Sequence, residues 1–159
     1  MSPRFKGSVS DIKGYAFKLL GYRSRSRKEL LQRLKKKGFP PDEIDSTIHF
    51  LEQRGFLDDE NVARELLRDA VERKHYGRRG IKNLLAQRGI GKELINVSLL
   101  SLNEEKEMET AVQFVKKKMK SLRQYSQPVM RRRLWGMLQR RGFSRDIINS
   151  ALRSIEDLR

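Results

Sequence analysis

The sequence predicts an all-α protein made of three tandem three-helix repeats that form an elongated, curved array. Glycines at positions 38, 89 and 142 share one surrounding pattern of apolar residues, which indicates an internal repeat. The balance of 37% hydrophobic and 35% charged residues among 159 suits an array whose units each bury only one side. No segment alternates apolar and polar residues for long enough to predict a strand.

Five apolar columns, or aligned positions, accompany each glycine. Apolar residues stand eight and four positions before it, one position after it, and six and ten positions after it. Residues four apart share a face of a helix, so each copy predicts a helix, a glycine turn and a second helix. The intervals between the glycines, 51 and 53 residues, are close to the periods of repeat proteins. In chain order the columns hold Leu30, Leu34, Phe39, Ile44 and Ile48; Ile81, Leu85, Ile90, Ile95 and Leu99; and Leu134, Leu138, Phe143, Ile148 and Leu152.

A further helix precedes each pair, and start signals mark several of the helices. Residues 26–29 form a capping box that opens the second helix of the first copy. The acidic residues 58–60 suit the start of the next helix, where the helix dipole favours negative charge. Pro128 marks a helix start in the third copy. The preceding helices are predicted over 12–20, 62–71 and 108–122, and they contain Tyr15, Leu66 and Met119, each 23 residues before its glycine.

These elements divide the chain into a flexible N-terminal lead-in and three repeats. The lead-in covers residues 1–10, and the repeats cover 11–57, 58–103 and 104–159. Because such small units bury little apolar area alone, contacts between neighbouring repeats are expected to stabilise the array. Aromatic side chains are expected in the cores or between repeats rather than stacked on nucleic-acid bases. These are Phe17, Phe50, Phe56, Phe114 and Trp135.

Composition favours a polyanionic partner. The chain carries 36 Lys and Arg against 20 Asp and Glu, a formal net charge of +16, which favours nucleic acid or an acidic protein surface. It has no cysteine, which excludes disulfides and thiolate chemistry. No run approaches the roughly 20 apolar residues of a membrane helix, and residues 1–10 lack the apolar core of a signal peptide. We expect a cytoplasmic protein.

Several basic residues are candidates for contact with a partner or nucleic acid. Cations just before a turn glycine also have a structural explanation, because they interact favourably with the helix dipole by about 0.3–1 kcal/mol. Arg78 and Arg79 have no such explanation, since positive charge at a helix start opposes the dipole. They are the first candidates. The others are Arg131, Arg132 and Arg133; Arg25 and Arg27; and Lys35, Lys36, Lys37, Arg140 and Arg141.

The sequence offers little for catalysis. His49 and His75 are 26 residues apart and have no ligand spacing around them, so no metal site is predicted. The chain has no Gly-x-x-x-x-Gly-Lys loop for ATP. The acidic residues 58–60 could hold a cation for a nuclease, but a helix start explains them more simply. We therefore predict no enzyme, cofactor or small-molecule substrate.

Three stretches resemble the RecX family of bacterial recombination regulators. Residues 26–39 resemble that family's first repeat, and residues 76–90 resemble its second. Residues 55–63 resemble its Leu-Asp-Asp-x-x-aromatic-Ala motif, with Val62 where the family usually has Phe or Tyr. The third copy matches mostly in its last two helices. The similarity extends from about Lys13 to the last helix.

The resemblance implies a non-catalytic regulator of RecA, the DNA strand-exchange ATPase. Such a protein binds RecA and its filament on single-stranded DNA and mainly inhibits ATP hydrolysis, strand exchange and SOS induction. Whether the basic residues contact RecA or DNA phosphates stays open, as does direct contact with DNA. The alternative is a general DNA- or RNA-binding architectural protein that acts through its basic surface without RecA.

Overall fold

The protein is all-α, as predicted. The structure is a computed structural model that describes residues 9–156, and side chains from Asp11 onward. The lead-in predicted for residues 1–10 lies outside this part, apart from residues 9 and 10 in the first turn of α1. Residues 9–156 form nine α-helices, one short 3₁₀ turn at Lys120–Leu122, and no strand. The helices are α1 Val9–Tyr22, α2 Arg27–Lys37, α3 Pro41–Gln53, α4 Asp59–Glu72, α5 Arg78–Gln87, α6 Lys92–Leu99, α7 Glu104–Met119, α8 Gln127–Arg140 and α9 Arg145–Glu156.

Each repeat has a hydrophobic core of its own. Every residue of the five apolar columns is buried in all three copies. The buried residues form three separate clusters, one within α1–α3, one within α4–α6 and one within α7–α9. The helix pairs that pack extensively also lie within single repeats. Apolar packing therefore builds the repeats, and other contacts must hold them together.

The three turn glycines adopt the predicted left-handed conformation. Their φ angles are +93° at Gly38, +79° at Gly89 and +85° at Gly142. At the first turn the N–H of Phe39 donates to the carbonyl of Leu34 at 3.4 Å, which closes the helix end. An L-residue in this conformation costs about 1–2 kcal/mol, which explains the recurrence of glycine.

The predicted helix starts are also present. The N–H of Glu29 donates to the Ser26 hydroxyl at 3.1 Å, and the N–H of Ser26 donates to the Glu29 carboxylate at 3.0 Å. This is the capping box of α2. Asp58 caps α4 by accepting from the N–H of Asn61 at 3.1 Å.

The expectation for the aromatic residues holds only in part. Phe114 is buried in the third core, and Phe50 and Trp135 pack against the cores of their repeats. Phe17 and Phe56, by contrast, are 39% and 54% exposed. Their rings meet edge to face with centroids 5.0 Å apart, so they shield each other at the surface of the first repeat.

Candidate functional site

The middle helices of the repeats, α2, α5 and α8, meet end to end. The turn after α5 abuts the start of α2, because a Cβ on Gly89 would lie 2.9 Å from the Ser26 hydroxyl. The turn after α8 abuts the start of α5, because a Cβ on Gly142 would overlap the backbone nitrogen of Gly80. We call these contacts the first junction, between repeats 1 and 2, and the second junction, between repeats 2 and 3.

Backbone hydrogen bonds close the second junction. The N–H of Gly77 donates to the carbonyl of Arg141 at 2.9 Å, and the N–H of Arg79 donates to that of Gly142 at 3.2 Å. Free N–H groups at a helix start thus bind free carbonyls at a helix end, and the two helix dipoles align favourably. A Cβ on Gly77 would lie 2.6 Å from Cα of Phe143. The glycines at 77 and 80 therefore permit close backbone approach.

A carboxylate from the following repeat caps the middle helix at each junction. The N–H of Arg27 donates to Asp59 at 2.7 Å, and the N–H of Arg78 donates to Glu107 at 2.8 Å. Arg27 and Arg78 occupy the same column, 51 residues apart. Burial raises the pKa of the Asp59 carboxyl, although the bond from the Arg27 N–H opposes this effect. Asp59 thus joins two repeats, while its neighbour Asp58 caps α4.

Arg78 and Arg79, the first candidates, have different surroundings. The Arg78 guanidinium donates to the carbonyl of Leu99 at 3.3 Å and to that of Leu102. Its charge is therefore directed at the carboxyl end of α6, which explains its position at the start of α5. The Arg79 side chain is exposed, and no hydrogen bond or ion pair joins it to another described residue.

Arg25 is buried, whereas Arg27 is engaged by an ion pair at the surface. Arg25 is only 8% exposed, and its Nε donates to the carbonyl of Leu19 at 3.1 Å near the end of α1. Burial, followed by repulsion from neighbouring arginines, lowers the pKa of the Arg25 guanidinium. Arg27 pairs with Glu52 at 2.9 Å. Arg25 therefore supports the α1–α2 corner.

The candidates in the third repeat are divided in the same way. Arg131 pairs with Glu156 of α9, and the Arg133 guanidinium lies 4.2 Å from the Tyr125 ring centroid. The side chains of Arg132 and Arg140 are exposed and make no hydrogen bond or ion pair to another described residue.

The lysines at the end of α2 lie at a helix end that neither of the other two described repeats contacts. Lys35 and Lys36 are exposed. The Lys37 ammonium lies 5.4 Å from the Tyr15 ring centroid. This end of the first repeat corresponds in sequence to the ends of α5 and α8, which form the junctions.

Arg88 ties the first junction together, and sequence reasoning did not assign it this role. Its Nε donates to Glu29 at 2.8 Å, and its Nη2 donates to the carbonyl of Ser24 at 2.9 Å. Arg23 pairs with the same carboxylate at 2.9 Å. Burial disfavours the charged carboxyl, but hydrogen bonds from Arg23, Arg88 and the Ser26 N–H outweigh it and lower the pKa of Glu29. The recurrence of Arg-Gly at 88–89 and 141–142 is the sequence signal for this contact.

Arg141 occupies the corresponding place at the second junction. Its guanidinium donates to the carbonyl of Lys74 and lies 4.3 Å from the Phe114 ring centroid. Burial lowers the pKa of this guanidinium. The position that corresponds to Glu29 is Gly80, 51 residues later, so this arginine has no equivalent carboxylate.

Residues 9–156 contain no cluster of three or more side chains suited to hold a metal ion. Asp58 instead accepts from the N–H of Asn61, as a helix start predicts, and Asp59 accepts from the N–H of Arg27 in the first repeat. In the same part of the chain, no helix has the length and apolar character to cross a membrane.

Comparison with known proteins assigns each repeat separately. Models of the first, second and third three-helix domains of RecX match residues 13–51, 58–99 and 104–152. A regulatory protein RecX from Pelodictyon phaeoclathratiforme is 36% identical over 139 residues, which are 87% of this chain and 85% of the relative. The chain belongs to the RecX family.

Other RecX proteins agree in extent and in fold. The regulatory protein RecX of Mycolicibacterium smegmatis is 32% identical over 85% of this chain and 74% of its own. The crystal structure of RecX from Lactobacillus salivarius superimposes with a TM-score of 0.78 at 24% identity, over 93% of this chain and 96% of the other. The RecX family is one of non-catalytic regulatory proteins, in agreement with the prediction of no enzymatic activity.

Proposed function

We propose that this chain binds RecA and the RecA filament on single-stranded DNA, and that it mainly inhibits ATP hydrolysis, strand exchange and SOS induction. The observation that carries the proposal is the presence of all three RecX domains in order, across residues 13–152. The formal charge of +16 supports a partner rich in negative charge. The proposed location is the cytoplasm, where RecA acts on DNA.

The proposed contacts are exposed cations that no other part of the described chain engages. Arg79 stands beside the second junction, at the start of α5, and is exposed. The side chains of Arg25 and Arg78 make hydrogen bonds within their own repeats and that of Arg141 joins repeats 2 and 3, and we propose that these three residues keep the repeats in a fixed geometry. Fixed repeats would present the exposed cations at a constant spacing, which lowers the entropy lost on binding. The exposed set is Arg79, Arg132, Arg140, Lys35 and Lys36.

The test is RecA ATP hydrolysis on single-stranded DNA, measured against the concentration of this protein. A filament regulator acts through a small number of bound copies, so inhibition should appear well below one copy per RecA protomer. Binding of the protein to the filament should be followed in parallel by sedimentation. Inhibition that appears only when the protein can coat the DNA would contradict the proposal.

The second candidate function is general nucleic-acid binding without RecA, which the charge of +16 favours. The two functions differ in their dependence on the amount of DNA. If the protein merely competes for DNA, excess single-stranded DNA relieves the inhibition of ATP hydrolysis. If the protein binds the filament, the inhibition is not relieved in proportion to the added DNA. Full relief would favour the second candidate.

A further inference from the structure

The second junction contains a basic cleft of about 370 Å³. It lies between the loop that follows α4, the second half of α7 and the turn after α8, and a neighbouring hollow continues it along α8. No carboxylate lines either part. Asp69, outside the cleft, pairs with Arg73 and Lys74 at 3.2 Å each. The lining cations are Arg73, Lys74, Lys117, Lys118, Arg140 and Arg141.

Aromatic rings form the inner wall of the cleft. The Phe114 ring centroid lies 4.3 Å from the Arg141 guanidinium and 6.0 Å from the Lys118 ammonium. The His75 ring centroid is 6.2 Å from that of Phe114. His75 has a left-handed backbone with φ +52°, and its Nδ1 is buried without a hydrogen-bond partner among the described residues. A strained residue with an unsatisfied polar atom indicates a constraint beyond packing.

The first junction is an internal comparison for the second. There, Glu29 neutralises Arg88, and Glu65 of α4 accepts from the Ser24 hydroxyl at 2.8 Å. In the second junction, Gly80 replaces Glu29, and the residue that corresponds to Ser24 is His75, which meets the Phe114 ring. The second junction therefore has no counterpart of Glu29 and presents a cluster of cations, while Glu107 still caps α5.

We propose that this cleft binds phosphate groups, presented by the backbone of a single-stranded nucleic acid. Guanidinium and ammonium groups are the usual phosphate ligands, and the cleft is of the size that holds small organic ligands. Phe114 is only 2% exposed and lies beneath the Arg141 guanidinium. The rings that the bases of a flexible strand can approach are therefore the partly exposed His75 and Tyr76, a feature that an acidic peptide would not require. The proposal concerns binding by this chain alone and does not depend on RecA.

The chain contains two histidines, which provide a local probe and an internal control. His75 lies in the cleft, and His49 is exposed on α3. The full chain would be titrated with an oligothymidylate of about ten nucleotides, a length within the usual site sizes, while ring resonances are followed by NMR. A saturable shift of His75 without a matching shift of His49 is expected. No shift of His75 when the oligonucleotide binds would overturn the proposal.

Further titrations distinguish the source of the phosphate. If a strand is the ligand, thymidine monophosphate and inorganic phosphate should shift the His75 ring resonances only at much higher phosphate concentration. An equal response to either would support the phosphate site and assign it to a free phosphate compound. Poly-glutamate of the same charge should shift His75 weakly. An equal shift with poly-glutamate would indicate a general polyanion site and would contradict the proposal.

A pair of double variants tests the cations directly. Lys117→Gln with Lys118→Gln should weaken oligonucleotide binding and lower the slope of log K against log salt by about 1.4, because each phosphate contact contributes about 0.7. The matched control, Lys18→Gln with Lys92→Gln, removes the same charge from exposed positions outside the cleft. Equal losses in the two variants would show that binding depends on net charge rather than on this cleft.

Discussion

Arg78 and Arg79 are neighbours at the start of α5, but they use their charge differently. The Arg78 guanidinium is directed back along the second repeat to the carbonyls of Leu99 and Leu102. The Arg79 guanidinium is exposed. Helix-dipole reasoning treats the two residues alike, because it considers only their distance from the helix start. The direction of a long side chain depends on which carbonyls lie nearby, and the sequence pattern does not contain that information.

Charge reversal at Arg79 should therefore affect function without lowering stability. We expect Arg79→Glu to raise the concentration needed for half-inhibition of RecA ATP hydrolysis at least about fivefold, equivalent to ~1 kcal/mol. The thermal unfolding midpoint should not fall, since the side chain makes no polar contact with another described residue and the helix dipole favours a carboxylate at a helix start. Lys18→Glu, at an exposed position of α1, is the control for net charge. An equal effect of the control would remove Arg79 from the contact surface.

Arg78→Ala is expected to give the opposite result. It leaves the carbonyls of Leu99 and Leu102 without their guanidinium partner. Because Arg78 is exposed and water can replace it in part, we expect a loss of about 1 kcal/mol in the free energy of unfolding. Inhibition by the fraction that remains folded should be normal. Chemical denaturation measures the stability, and a variant with unchanged stability but weaker inhibition would instead assign Arg78 to the partner contact.

At the scale of elements, the start of α2 is stabilised by groups from two repeats. Glu29 completes the capping box with Ser26 and also binds Arg88 from the end of α5. Asp59 of α4 accepts the N–H of Arg27. The capping box could be predicted because its residues are three apart in sequence. The bond from Arg88 could not, because it joins residues 59 apart and depends on how one repeat docks on the next.

The Glu29 carboxyl makes the first junction sensitive to acid. Its pKa is lowered in the folded protein from an ordinary value of 4.5, because bonds from Arg23, Arg88 and the Ser26 N–H outweigh the effect of burial. A lowered carboxyl pKa stabilises the fold fully above the unfolded value, and the stabilisation is lost as pH falls through the folded value. We expect Glu29→Gln to be less stable than the parent at pH 7, with a smaller difference below the ordinary pKa.

Equilibrium denaturation of both proteins across this pH range measures the effect. Glutamine retains the capping box, so the comparison isolates the charge. A difference in stability that does not change with pH would show that Glu29 acts through shape or hydrogen bonding rather than charge.

At the scale of the whole molecule, the repeats could be predicted and their assembly could not. The apolar pattern around the glycines at 38, 89 and 142 predicted the helices, the turns and the buried residues, because these depend on spacing within about 20 residues. The expectation that contacts between repeats stabilise the array did not include which groups make them, and the junctions contain backbone groups, carboxylates and arginines. The close approach of Gly77 and Gly80 to the end of α8 was likewise not predicted from the sequence and is shown only by the structure.

Two glycines in the same column allow the contribution of a junction to be measured. Gly38 and Gly142 have nearly equal φ angles, +93° and +85°, and both end a middle helix. A Cβ on Gly38 meets nothing within 4 Å, whereas a Cβ on Gly142 would overlap the backbone of Gly80 in the neighbouring repeat. Gly38→Ala should therefore lower the free energy of unfolding only by the strain of placing an L-residue in the left-handed conformation, about 1–2 kcal/mol.

Gly142→Ala should lower the free energy of unfolding clearly more. It has the same backbone strain as Gly38→Ala, and its Cβ also forces repeats 2 and 3 apart. The bonds from the N–H groups of Gly77 and Arg79 to the end of α8 would lengthen or break. We expect faster hydrogen exchange at these two amides in Gly142→Ala and unchanged exchange there in Gly38→Ala. Denaturation and exchange of the two variants provide the measurement. Equal losses of stability, with both amides still protected, would mean that the junction adds little and that the repeats are stabilised by their separate cores.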